Sequence, residues 1–92
     1  MNQTARHIII SGNVQGVFFR KYAKQKADEL KLTGWVKNTD DGNVELFAQG
    51  DENKIEALIQ WCHQGSPKSE VDQVEIKYVN ADPTLTQFFI ER

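Results

Sequence analysis

The spacing of apolar residues changes between Ile10 and Phe19, and that change fixes what the first third of the chain can form. Before it, His7-Ile8-Ile9-Ile10 is an apolar run that reads as a strand. After it, Phe19, Ala23, Ala27 and Leu30 step by four, four and three, which places them on one helical face. The intervening Ser11-Gly12-Asn13-Val14-Gln15-Gly16-Val17-Phe18 holds two glycines, which let the backbone bend and let a ligand approach it closely. Arg20 stands where the helix begins. Loop amides, a helix N-terminus and a guanidinium together describe a site for a phosphate-like anion.

The remaining segments follow in alternation. The first strand is expected over roughly 6–12 and the first helix from Phe19 or Arg20 to a point before Gly34. Gly34-Trp35-Val36-Lys37-Asn38 reads as a second strand. Asp40-Asp41-Gly42-Asn43 is a hairpin signal, because Asp-Gly and Gly-Asn supply the positive φ angles that such turns need. Val44, Leu46 and Ala48 alternate with Glu45, Phe47 and Gln49, a third strand of period two. Asp51 is placed to cap a second helix whose Ile55, Leu58, Ile59 and Cys62 form a buried stripe. Gly65 and Pro67 close it. Val74, Ile76 and Tyr78 alternate along a fourth strand, Asp82-Pro83 breaks it, and Phe88 and Ile90 share one face of a short last strand.

The order is βαββαβ with an extra terminal strand, an α+β, ferredoxin-like (split βαβ) sandwich. Two helices are expected on one face of a mixed, mostly antiparallel sheet, with Phe19, Leu30, Ile55, Leu58 and Ile59 among the buried contacts. Residues 1–92 are long enough for one such domain and too short for two. A strand joined to the next through a helix runs parallel to it in a shared sheet. The first and second strands therefore end at one edge, which brings Arg20 and Asn38 together, and open α/β sheets bind ligands at the carboxyl ends of their strands.

Charge supports a small anion there. Residues 1–38 hold seven basic and two acidic side chains, a net of +5, while residues 39–92 hold four basic and eleven acidic, a net of −7. A positive local field favours an anionic ligand near the glycine loop. The acidic remainder argues against a polyanion such as duplex nucleic acid. The plain reading of Lys21, Lys24 and Lys26 is a solvated helix face. No run is long enough to span a bilayer and nothing resembles a signal peptide, so no membrane partner is expected. The single cysteine, Cys62, excludes an internal disulfide and fits a reducing, cytoplasmic setting.

Other chemistry is poorly supplied. The loop is neither a Walker motif nor a dinucleotide fingerprint, since no Gly-Lys-Ser/Thr follows and no third glycine is in register. His7 and His63 have no acidic or nucleophilic partner that this topology places beside them. Cys62 falls on the buried stripe, and Trp35 and Trp61 read as core or partly buried anchors. An RNA-binding module shares the βαββαβ order, but its third strand should be basic and aromatic-rich, whereas Val44–Gln49 is acidic with one aromatic. A non-catalytic small-anion sensor is the other alternative.

Gly12–Arg20 resembles the first acylphosphatase signature, and Gly34–Thr39 followed by Asp41–Glu45 resembles the second. The similarity continues through Gln49-Gly50 and Gly65-Ser66-Pro67 and covers nearly the whole chain. The resemblance implies the ferredoxin-like sandwich and hydrolysis of an acyl phosphate to carboxylate and inorganic phosphate. It implies that Arg20 binds the phosphate with the backbone amides of Gln15, Gly16, Val17, Phe18 and Phe19, and that Asn38 holds the attacking water. No metal or cofactor is implied. Inorganic phosphate is expected as product and competitive inhibitor, and a monomer is expected. Two positions depart from the family pattern: Ala23 stands where a threonine is common, with a supporting hydrogen bond near the site in question, and Lys31 where a glycine is common, with the helix end in question.

Overall fold

The computed structural model describes residues 3–91. The elements are β1 (Thr4–Asn13), α1 (Phe19–Glu29), β2 (Thr33–Asn38), β3 (Val44–Gly50), α2 (Glu52–Gln64), β4 (Glu70–Val79) and β5 (Phe88–Ile90). They build one five-stranded sheet in the order β4-β1-β3-β2-β5. β3 lies antiparallel between β1 and β2, so those two strands run parallel to each other, as the helical crossover requires. β5 joins the outer edge of β2 in parallel.

Period-two alternation decides which side chains face the helices. Ile8 and Ile10 on β1, Val36 on β2, and Val44, Leu46 and Ala48 on β3 point to the covered face and are buried. They meet Phe19, Ala23 and Ala27 of α1 and Ile55, Leu58, Ile59 and Cys62 of α2. Each large side chain so buried contributes about 1.5–3 kcal/mol. Cys62 is a small core residue, and burial pushes its thiol pKa up to about 12.

Three expectations need adjusting. β1 is longer than 6–12 because it is central and pairs on both sides, with β3 and with β4. Leu30 is half-exposed, since the helix ends on it; Leu32, two residues on, enters the core instead. That ending is a Schellman motif, in which Leu32 N–H bonds Ala27 O at 2.9 Å and Lys31 N–H bonds Asp28 O at 3.0 Å. Lys31 takes the left-handed conformation, φ 61°, that the motif needs. A glycine adopts it without strain, which is the physical content of that family departure. Ala23, the other departure, is fully buried in the core and does not line the site described below.

β4 and β5 sit at opposite edges, so residues 80–87 must cross the sheet. They do so at the far end of the helix-free face, where the buried Gln49 side chain holds Asp82 from both sides. Its Nε2 donates to Asp82 O at 2.8 Å and its Oε1 accepts from Asp82 N–H at 2.7 Å.

Candidate functional site

The loop between β1 and α1 is shaped by two glycines with different duties. At Gly12, φ 126°, the β1–β4 register shifts, and a Cβ would stand 2.2 Å from Glu70 O. At Gly16, φ 75°, nothing lies within 4 Å of a would-be Cβ, so the need is conformational and the space is open. The loop ends on Phe18, which takes the left-handed region (φ 61°, ψ 24°) as the residue before α1. For a side chain with a Cβ this costs roughly 1–2 kcal/mol. Among the described residues, no side chain caps α1.

Among the described residues, the backbone N–H groups of Gln15, Gly16, Val17, Phe18 and Phe19 make no hydrogen bond of good geometry to a carbonyl outside the regular elements. Those donors lie in a turn leading into a helix N-terminus, where donors are normally left over. Beside them is a hollow of about 280 Å³ whose wall includes Gly16, Phe18, Phe19, Arg20 and Asn38. The structure therefore brings together Arg20 of α1, Asn38 of β2 and much of the loop, from elements separated in sequence. Gln15 and Val17 do not line the hollow. Val14, Lys21 and Ile90, which the sequence did not single out, do.

The loop is held from several sides. Gln15 Nε2 donates to both Thr39 O and Asn43 O, each at 2.8 Å, and so ties the loop to the turn that follows Asn38. Thr39 organises that turn: its hydroxyl oxygen accepts from Asn43 N–H at 3.0 Å, and its own N–H donates to Asn43 O at 2.9 Å. From behind, the buried Ser66 hydroxyl donates to Val17 O at 2.8 Å. The Phe19 ring packs on Trp61 of α2, centroids 5.0 Å apart.

Arg20 is aimed from the other end of the chain. Its Nη1 donates to Glu91 O at 3.1 Å, a contact made possible by β5 lying beside β2. Asn38, half-buried at the end of β2, makes no side-chain hydrogen bond among the described residues. Its amide is available to a ligand or a water.

The lysines of α1 separate into two kinds. Lys24 pairs with Asp28 at 2.7 Å and Lys26 with Glu29 at 3.7 Å, as a solvated face would have them. Lys21 instead lines the hollow, and among the described residues no carboxylate pairs with it or with Arg20.

His7 corrects an expectation: it has an acidic partner. Its Nε2 meets Glu45 Oε2, and Glu45 Oε1 lies 3.8 Å from Lys37 Nζ. His7 is paired with Phe47 in the sheet, which places Glu45 two residues along on the same face. That face is the helix-free one, away from the hollow. A second hollow of about 360 Å³, near Tyr22, Trp61 and Ser66, has no charged side chain in its wall and offers little to an anion. Among the described residues, no three His, Cys, Asp or Glu side chains gather as a metal site would need.

The sequence model of the acylphosphatase family matches residues 6–90. The chain belongs to the acylphosphatase family. It is 45% identical over 82 residues to an acylphosphatase of Marinobacter nauticus, covering 89% of each chain. Among solved structures it is similar to the Bacillus subtilis acylphosphatase, with TM-score 0.93, 38% identity and 97% and 99% of the two chains covered. A Coxiella burnetii acylphosphatase gives TM-score 0.93 at 41% identity, over 98% and 94%. The ferredoxin-like architecture expected from the element order is the architecture found.

Proposed function

We propose that this protein hydrolyses the carboxyl–phosphate mixed anhydride of acyl phosphates, with the phosphoryl group held by the loop and Arg20 and the attacking water held by Asn38. The family model, the Marinobacter nauticus relative and the two solved structures named above bear the acylphosphatase name. The observation that supports these roles is one hollow walled by the glycine loop, Arg20 and Asn38, with unpaired amides at its edge.

The chemistry asks little of the protein. Phosphoryl transfer passes through a loose transition state, so catalysis rests on positioning and charge stabilisation. The planar guanidinium of Arg20 matches phosphate oxygens in pairs, and the Glu91 carbonyl takes one of its N–H groups while leaving others for the ligand. Gly16, Phe18 and Phe19 bring loop amides to the wall of the hollow, where they act as fixed dipoles around the same group. The leaving group is a carboxylate, the anion of a fairly strong acid, and leaves without a general acid. Asn38 is too weak a base to deprotonate water but can fix it in line with phosphorus. The proton then passes to the substrate's own phosphoryl oxygen. Gln15 couples the two halves, because its side chain keeps the phosphate loop in register with the turn after Asn38.

The protein works in this reading as one domain over residues 1–92, as a monomer, in the cytoplasm and without metal or cofactor. Inorganic phosphate is its product and competitive inhibitor. Among the described residues, no helix is long and apolar enough to cross a membrane. The RNA-binding alternative gains no support from the family and structural matches.

The experiment is steady-state hydrolysis of benzoyl phosphate in the presence of a chelator, with Asn38→Ala beside the unaltered chain. Turnover by the unaltered chain, with a kcat reduced about 100-fold or more in Asn38→Ala and phosphate inhibition retained, fits the roles given. Equal loss of turnover and phosphate binding in Asn38→Ala contradicts the water-holding role.

A further inference from the structure

The loop amides and Arg20 account for one part of the hollow; Phe18, Lys21 and Ile90 account for another. Phe18 is 69% exposed, although its ring is large and apolar and its backbone is strained. Ile90, 41% exposed, lines the same hollow. Lys21 Nζ stands 5.9 Å from the centre of the Phe18 ring. It lies in the first turn of a helix, where cations are disfavoured by the backbone dipole, and no carboxylate among the described residues offsets it. The neighbouring Lys24 and Lys26, further along the helix, both have such partners.

The hollow also extends past the loop. Its wall, open to solvent on one side, runs from Gly16 and Arg20 on to the apolar side chains of Phe18 and Ile90, with the Lys21 cation beside them.

We propose that Phe18, Ile90 and Lys21 form a subsite for the acyl group, one that selects an acyl phosphate with an apolar body and a second negative charge at its far end. The proposal rests on the acyl phosphate reading above. Lys21 and Phe18 are specificity residues here: neither is asked to touch the reacting phosphorus through its side chain.

The test compares kcat/KM for acetyl, benzoyl and succinyl phosphate, which carry a minimal, an apolar and an anionic acyl group. Three variants of the full chain are used, Lys21→Met, Phe18→Gly and Ile90→Ser, each checked for an unchanged thermal melt. Phe18→Gly keeps the left-handed backbone accessible, so the loop and its amides stay in place. Lys21→Met is expected to lower the succinyl-to-acetyl ratio about fivefold, the size of one exposed charge pair at contact. Phe18→Gly and Ile90→Ser are expected to lower the benzoyl-to-acetyl ratio, about tenfold for the ring. If every substrate falls in the same proportion, Lys21 only draws in phosphate and Phe18 only shapes the loop, and the subsite is overturned. Unchanged ratios overturn it equally. Failure of the unaltered chain to hydrolyse any of the three overturns the acyl phosphate reading itself, a result distinct from the other two.

Discussion

Helix α2 begins on Asp51, whose carboxylate accepts from Asn53 N–H at 2.9 Å, and carries Glu52 in its first turn. Helix α1 begins on a left-handed Phe18, has no side-chain cap, and carries Arg20 and Lys21 where its dipole favours anions. Both helices bury an apolar stripe against the same sheet, so packing does not explain the contrast. One N-terminus is finished by the chain's own carboxylates. The other leaves its donors and its cations without such partners among the described residues, as the proposed anion site requires. Local rules that fail together, at a single point facing a cavity, are the mark of a functional site.

The sharpest way to break this comparison is Arg20→Ala. It is expected to lower kcat/KM for benzoyl phosphate by about 100- to 1,000-fold, the usual loss for one transition-state donor. Its stability without ligand should stay within about 1 kcal/mol of the unaltered chain, because a cation unfavourable to the dipole is removed along with its bond to Glu91 O. Saturating phosphate should raise the melting temperature of the unaltered chain and not that of the variant. A ligand-free variant that unfolds readily would mean that α1 needs Arg20 for structure.

Asp51→Ala tests the other helix. It should cost about 1 kcal/mol in urea unfolding and leave kcat/KM unchanged. Lys31→Gly separates strain at the proposed site from strain away from it, since Lys31 shares the φ of 61° with Phe18 but lines neither of the two hollows described above. It should raise stability by about 0.5–1 kcal/mol with activity unaltered.

The smallest effect concerns pH. Asp82 is held below the usual carboxylate range by the Thr84 hydroxyl and backbone N–H, both donating to its side chain. A folded pKa below the unfolded one contributes stability above the unfolded value and loses it as pH falls through the folded value. Thr84→Ala should therefore move the NMR titration of Asp82 upward, weaken the acid-range pH dependence of unfolding, and lower stability slightly at pH 7, where that contribution is fully present.

Much of the fold was legible because it depends on local spacing. The stripe of α2, the alternation of β3 and the Asp-Gly turn are each written in neighbouring residues, and the shared edge of Arg20 and Asn38 follows from one crossover. What escaped depends on which strands become neighbours. The Glu91 carbonyl that receives Arg20 is 71 residues away, and the Gln15 side chain that reaches Thr39 and Asn43 spans 24 and 28. His7 gains Glu45 only through the β1–β3 register. The left-handed Phe18 had no compositional signal, since aromatic residues seldom adopt that conformation.

The placement of β5 also sets an order of events during synthesis. Protein chains emerge from their N-terminal side, at about 5–20 residues per second. The glycine loop, Arg20 and Asn38 are all made within the first 38 residues, yet the carbonyl that orients the guanidinium belongs to Glu91. A nascent chain that has reached Asp82 holds every group that would meet the phosphate and still lacks the strand that aims one of them. In the proposed site, the guanidinium gains its backbone anchor only when the last strand docks beside β2.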